Sequence, residues 1–340
     1  MSSIPEDEPV RTAEEQPLSP EDGPAQTAEN PAGAPAEPGE AWPIAREPEP
    51  VETAAIEPPM VAAFMEPEAP PPVRIPHLGH VALLLLILVV GFAAAILLIL
   101  TALHFHLYGI SSIEQTKSEI HYQLGSEGLG YLFTFLGCLI VFPLLWNKSF
   151  LAGIQWNGAT AFRLRWRLVG GAFVCFLLAL LNSVVLPGPA HAPIEDIFRE
   201  PGAAWLLFGF GVTFAPFFEE LFFRGFLLPA LCTAYDWCVE KTQHVPRRPL
   251  GENGHPQWSL SAMVVASIVT SLPFALMHAP QTGFSVGPFL LLVGVSGLLC
   301  AVRLWTRSLA ASTLVHASYN FMLFAMMLVG TQGFRHLDRM

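Results

Sequence analysis

Leu78–Leu103 reads LGHVALLLLILVVGFAAAILLILTAL, 26 residues without a lysine, arginine, aspartate or glutamate. A helix needs about 20 mostly apolar residues to cross the hydrocarbon core of a bilayer. Within lipid the backbone must satisfy its own hydrogen bonds, and in a single segment only the helix does so. Six further stretches have the same character: Gly128–Trp146, Leu168–Leu186, Ala203–Leu231, Leu260–His278, Val286–Val302 and Ser308–Val329. The fold class that follows is all-α, a polytopic transmembrane helix bundle. It has seven spans, or eight if a partial or interfacial helix is added.

Composition agrees. Of the 340 residues 52% are hydrophobic and 13% charged, about half the charge of a typical soluble domain. The net charge of −11 is a property of one end. Residues 1–77 hold 16 acidic and three basic side chains and 18 of the 31 prolines, and the other 263 residues are close to neutral. Such a segment cannot bury enough apolar surface to offset the entropy of ordering it, and it reads as a disordered arm. Met1–Glu15 lacks a basic region followed by an apolar one, so the first span is expected to serve as its own insertion signal. Cys138, Cys175, Cys232, Cys238 and Cys300 show no paired spacing; they suggest buried thiols rather than disulfides or a thiolate metal site.

Orientation follows from the basic loops. Stretch 147–167 holds Lys148, Arg163, Arg165 and Arg167, stretch 232–259 holds Lys241, Arg247 and Arg248, and Arg303 and Arg307 flank a later turn. The alternate loops carry Glu114, Glu119 and Glu127, then Glu195, Asp196 and Glu200. The positive-inside bias puts the amino terminus in the cytoplasm, with Arg335 and Arg339 as a misfit. Trp146, Trp205, Trp258 and Trp305 fall at span ends and read as interfacial anchors.

Three spans carry groups that lipid disfavours by roughly 2.5–3.5 kcal/mol each. Glu219-Glu220-Leu-Phe-Phe-Arg224 lies in the fourth, Phe274-Ala-Leu-Met-His278 ends the fifth, and His316-Ala-Ser-Tyr-Asn320 lies in the last. Residues four apart share a helix face, so Arg224 can hold Glu220 ionised. Glu219 points about 100° away and needs a partner of its own. Taken singly, each has a bland account: a Glu–Arg clamp, an interfacial histidine, an interhelical hydrogen bond. Taken together, a carboxylate and two imidazoles from separate helices can meet around one water or one ion. Two histidines and a carboxylate with an open position form a catalytic zinc set. Without metal, a Glu–His pair can still deprotonate water, and His and Asn donors can steady an oxyanion. His278 falls at the outer end of its span while Glu219 and His316 lie deeper, so a cavity has to reach it.

On these three motifs, in this order, the chain resembles the CPBP (also called ABI) intramembrane proteases, whose founding members are type II CAAX prenyl endopeptidases. The flanking text, EELFFRGFLLPAL and RSLAASTLVHASYNF, is similar to that family as well, and the resemblance covers roughly 168–329. It implies an intramembrane endopeptidase in which Glu219 and His278 activate water. His316 and Asn320 would steady the tetrahedral oxyanion, with Glu220 and Arg224 completing the catalytic set. Zinc, held by Glu219, His278 and His316, is the implied cofactor, with a glutamate-dependent mechanism as the alternative. The implied substrate is a membrane-associated, lipidated peptide or protein, with the bilayer as the other partner and no nucleic acid. The chain then divides into a cytoplasmic arm (1–77), two spans and a basic loop (78–167), the protease-like core (168–330) and a short tail (331–340).

Two other readings compete. A non-catalytic scaffold or immunity-type protein of the same family would tolerate the motifs without depending on Glu219. A transporter would also place charges in the membrane, but no inverted repeat accompanies them. His104 and His106 at the end of the first span, and His244 and His255 in a polar loop, are taken to be interfacial or solvated.

Overall fold

A computed structural model describes residues 73–109, 112–186, 193–198, 202–251 and 254–335. The arm lies outside the described residues except for its last five, and these belong to the fold. Arg74 is buried there, and its Nη2 donates to Glu240 Oε1 at 2.6 Å and to the Arg248 carbonyl at 2.9 Å. Of the short tail (331–340), residues 336–340 lie outside them too.

Among the described residues seven helices are long and apolar enough to cross a membrane, and there is no strand beyond one bridge, Leu250 to Pro256. We number them α1 (Leu78–His104), α2 (Ile120–Trp146) and α3 (Gly158–Val185). The fourth span, Ala203–Thr242, is broken into α4 (Ala203–Val212), α5 (Phe214–Glu220), a π-helical turn (Leu221–Leu227) and α6 (Leu228–Thr242). Then come α7 (Leu260–His278), α8 (Val286–Thr306) and α9 (Leu309–Gly330).

Two spans begin earlier than hydropathy alone predicts. Helix α2 starts at Ile120, eight residues before Gly128, and takes in His121, Gln123 and Glu127. Helix α3 starts at Gly158, where the Asn157 side chain accepts from the Thr160 amide at 3.0 Å, an N-cap. Its first turns carry Arg163, Arg165 and Arg167, long side chains whose charged heads reach water while the helix continues. The break in the fourth span has a local cause. Pro216 lacks an amide hydrogen and crowds the carbonyl four residues back, and α4 ends at that residue, Val212.

Helices α1 and α2 pack around the aromatic cluster Phe142, Trp146, Phe150 and Phe226. Helices α3, α8 and α9 share a second core around Leu299 and Val315. A third, around Leu228, Cys232 and Ala266, joins α6, α7 and α8. The broken span contributes to the first and the third. Many outward side chains, among them Leu86, Leu97, Leu144 and Val184, stay exposed, as a lipid-facing surface requires. Trp205 and Trp305 are exposed like interfacial anchors, whereas Trp146 is buried and donates to His80 Nε2 at 3.1 Å. It is a core residue. Trp258 is half-buried and donates to Thr233 Oγ1.

Candidate active site

Glu219 and Glu220 close α5, and Arg224 sits in the π-helical turn that follows. Such turns are rare and gather at functional sites. Glu220 and Arg224 are both fully buried, with Arg224 Nη1 donating to Glu220 Oε1 at 2.9 Å. Arg224 Nη2 donates to Ser296 Oγ at 2.7 Å and to the Ser296 carbonyl at 3.2 Å, and its guanidinium lies 4.4 Å over the Phe274 ring. Arg303, also buried, donates from Nε to the Arg224 carbonyl at 3.2 Å and from Nη2 to the Ile154 carbonyl at 3.4 Å. The clamp expected from the i, i+4 spacing is therefore present, and α8 holds it through two residues outside the motifs, Ser296 and Arg303.

The two imidazoles are oriented by what their Nδ1 atoms meet. His278 Nδ1 lies 2.8 Å from the Phe274 carbonyl, and His316 Nδ1 lies 3.1 Å from Glu220 Oε1. A carbonyl and a carboxylate only accept, so each Nδ1 carries the hydrogen and each neutral ring keeps a bare lone pair on Nε2. Both Nε2 atoms face Glu219: its Oε2 is 3.7 Å from that of His278 and 3.8 Å from that of His316. These separations are too long for hydrogen bonds, and Glu219 Oε2 is buried with no hydrogen-bond partner. Three acceptors thus surround one point. Only a proton donor or a cation satisfies them.

Asn320 belongs to the same wall. Its Nδ2 donates to the Gly211 carbonyl at 2.8 Å, one of the carbonyls that the end of α4 leaves unpaired. One of its two amide hydrogens is used in this way and the other is available. Glu219, His278, His316 and Asn320 all line a cavity of about 340 Å³, which also touches Glu127, Phe274 and Tyr319. The cavity answers the depth mismatch, because it runs from His278 at the end of α7 down to His316. Glu219 also borders a second cavity of about 260 Å³ whose walls include Leu84, Leu85, Leu88, Phe222 and Met277. That one is apolar and lies between α1, α2, α7 and the π-helical turn.

Glu127, whose charge suggests a loop, lies in α2 and lines the cavity. It interacts with Tyr131 one turn on, and the Tyr131 ring stacks on Phe218 with centroids 4.6 Å apart, beside Glu219. A polar residue inside a continuous helix was the available signal, hidden because 120–127 is too polar to read as a span.

The donors fit a metal in kind. Two imidazole nitrogens and a carboxylate oxygen are present, and each imidazole is steadied through its other nitrogen, as metal ligands are. In spacing they are wider than zinc requires, since donors at about 2.0–2.1 Å in a tetrahedron stand roughly 3.3 Å apart. Among the described residues no group of three or more His, Cys, Asp or Glu is set closely enough to hold a metal ion.

The fold and site define a helical membrane bundle that holds a carboxylate–imidazole cluster at the wall of a cavity. Residues 201–322 match the family model described as type II CAAX prenyl endopeptidase Rce1-like, which supports the resemblance to the CAAX proteases over that stretch. No curated protein and no solved structure gives a significant match to the chain.

Proposed function

We propose that the protein is an intramembrane endopeptidase that hydrolyses a peptide bond close to a membrane anchor. The observation that carries this reading is the convergence of Glu219 Oε2 with two Nε2 lone pairs at one unsatisfied point. A water there donates toward Glu219 and His278. As its oxygen attacks the carbonyl carbon, one of the two takes the proton. The negative charge that grows on the carbonyl oxygen calls for donors. The free amide hydrogen of Asn320 is one. His316, oriented by Glu220 on its Nδ1, is another when its Nε2 carries a proton. The proton held by Glu219 or His278 then passes to the departing amine as the carbon–nitrogen bond breaks. The apolar cavity beside Glu219 suits a lipid chain or apolar segment attached to the substrate.

Zinc is a second reading, favoured by the donor types and the oriented imidazoles. Glu219, His278 and His316 would hold it, and it would supply a water that ionises near neutral pH.

Purified protein in detergent, given a quenched peptide with a lipidated cysteine, tests both readings. Cleavage that is lost in Glu219→Gln and survives chelation supports the first. Loss on chelation, with one equivalent of metal in the wild type, supports the second. A wild type that cuts no membrane-anchored peptide contradicts both and favours the scaffold reading.

A further inference from the structure

The helices alternate, so each cavity residue can be assigned to one end of the bundle. Leu78, Trp146, Gly158, Thr242, Leu260, Thr306 and Leu309 are the span ends on the side where the described chain begins. This end is tied together by Arg74 with Glu240, by the Leu309 amide on the Gln155 carbonyl and by Ser308 Oγ on the Asn157 carbonyl. His104, Ile120, Val185, Ala203, His278, Val286 and Gly330 lie at the other end.

The lining of the active-site cavity comes from that other end. Glu127 lies in the first turns of α2, Leu207 is in the middle of α4, Gln281 and Thr282 follow α7, and Phe324 is in the last turns of α9. Gln281 is exposed there. Toward the first end the site is sealed: Arg224, Leu228, Leu299 and Leu309 are fully buried beneath Glu220.

The charges at the two ends differ. The basic residues at the first are Arg74, Lys148, Arg163, Arg165, Arg167, Lys241, Arg247, Arg248, Arg303 and Arg307, while among the described residues the only basic ones at the second are Lys117 and Arg335. A bias of this size in short loops puts the first end in the cytoplasm.

We infer that the site takes its substrate from the extracytoplasmic side of the membrane. The peptides it accepts are then secreted or outward-facing segments near the outer leaflet, with the lipid or apolar part in the cavity beside α1. No lysine or arginine is among the described residues that line the entry, and Glu127 is. An entering segment that is neutral or basic suits it better than an acidic one. This deepens the protease reading and relies on it for activity, whereas sidedness can be measured without activity.

The chain supplies its own reference for that measurement. Among the described residues Cys238 is the exposed cysteine, near the end of α6 on the basic side, and the other four are buried. Wild type and Gln281→Cys (in a Cys238→Ser background) are treated with a membrane-impermeant maleimide in right-side-out and in inverted vesicles. Gln281→Cys should react in right-side-out vesicles only, and Cys238 in inverted vesicles only. The opposite pattern overturns the inference. Vesicles given an impermeant quenched peptide add the functional arm. Right-side-out vesicles of wild type should cleave it and those of Glu219→Gln should not, with inverted wild-type vesicles reaching the same rate only after permeabilisation. Cleavage by sealed inverted vesicles overturns the inference. If detergent-opened vesicles cleave nothing, the protease reading fails while the labelling still decides sidedness.

Discussion

Adjacent glutamates at the end of α5 have opposite circumstances. Glu220 is fully buried, and Arg224 and His316 meet its Oε1. Glu219 Oε2 has no hydrogen-bond partner and faces two lone pairs. Removing one member of a buried ion pair typically costs about 3–5 kcal/mol, because the other is left uncompensated. Glu220→Ala and Arg224→Ala should therefore lower the unfolding midpoint sharply and reduce yield in detergent. Glu219→Gln should leave the midpoint nearly unchanged, since no hydrogen bond is lost. Its turnover should fall by about 10²–10⁴, the range for loss of a positioned base. Thermal unfolding and kcat, measured on the same preparations, separate the two roles. An equal loss of stability in Glu219→Gln would show that the two carboxylates do the same structural work. Glu127→Gln removes the carboxylate from the cavity entry, and the expected change is in selectivity. The ratio of kcat/KM for a Lys-bearing over a Glu-bearing peptide should fall, and an unchanged ratio would exclude Glu127 from substrate contact.

Elements set these distances through a few close fits. Helix α8 brings Ser296 and Arg303 to the π-helical turn, and its first turn presses on the end of α3. A Cβ at Gly287 would stand 2.3 Å from the Leu186 carbonyl oxygen. That oxygen is backbone and cannot step aside, so Gly287→Ala should shift α8 and destabilise by roughly 1–3 kcal/mol, the usual scale for overpacking. A melting series that finds Gly287→Ala as stable as wild type would show that the two helices slide freely. The link before α7 gives a pH-dependent prediction. His255 is half-buried, and burial together with Lys148, Arg303 and Arg307 pushes its pKa down to about 4. In the unfolded chain it titrates near 6.5. Between these values the unfolded state binds a proton that the folded state does not, so stability falls as pH drops from about 6.5 to about 4. His255→Gln should flatten that part of the profile in detergent melts between pH 4 and 7. A slope unchanged by the substitution would assign it to other groups.

At the scale of the whole molecule, the sequence exposes what lipid demands and hides what packing decides. The seven spans are legible because each needs an apolar run, and the motifs stand out because charges are costly there. The starts of α2 and α3 are not legible. His121, Gln123 and Glu127 make the first turns of α2 look like loop, and the arginines of α3 extend past the lipid instead of ending the helix. The π-helical turn leaves no mark in Leu-Phe-Phe-Arg-Gly-Phe-Leu, and the supports from Ser296 and Arg303 are 72 and 79 residues away from Arg224. Trp146 sits where an interfacial anchor belongs, yet it is buried by its partner His80, a contact between α1 and α2 that no local pattern announces. Convergence of Glu219, His278 and His316 needed the bundle itself.

Turnover by single-residue variants in one detergent preparation tests that convergence most directly. If Glu219 and His278 act on one water, Glu219→Gln, His278→Ala and the Glu219→Gln/His278→Ala double variant should lose activity to a similar extent, far short of additive, because members of one unit fail together. Fully multiplicative losses in the double variant would contradict the shared site.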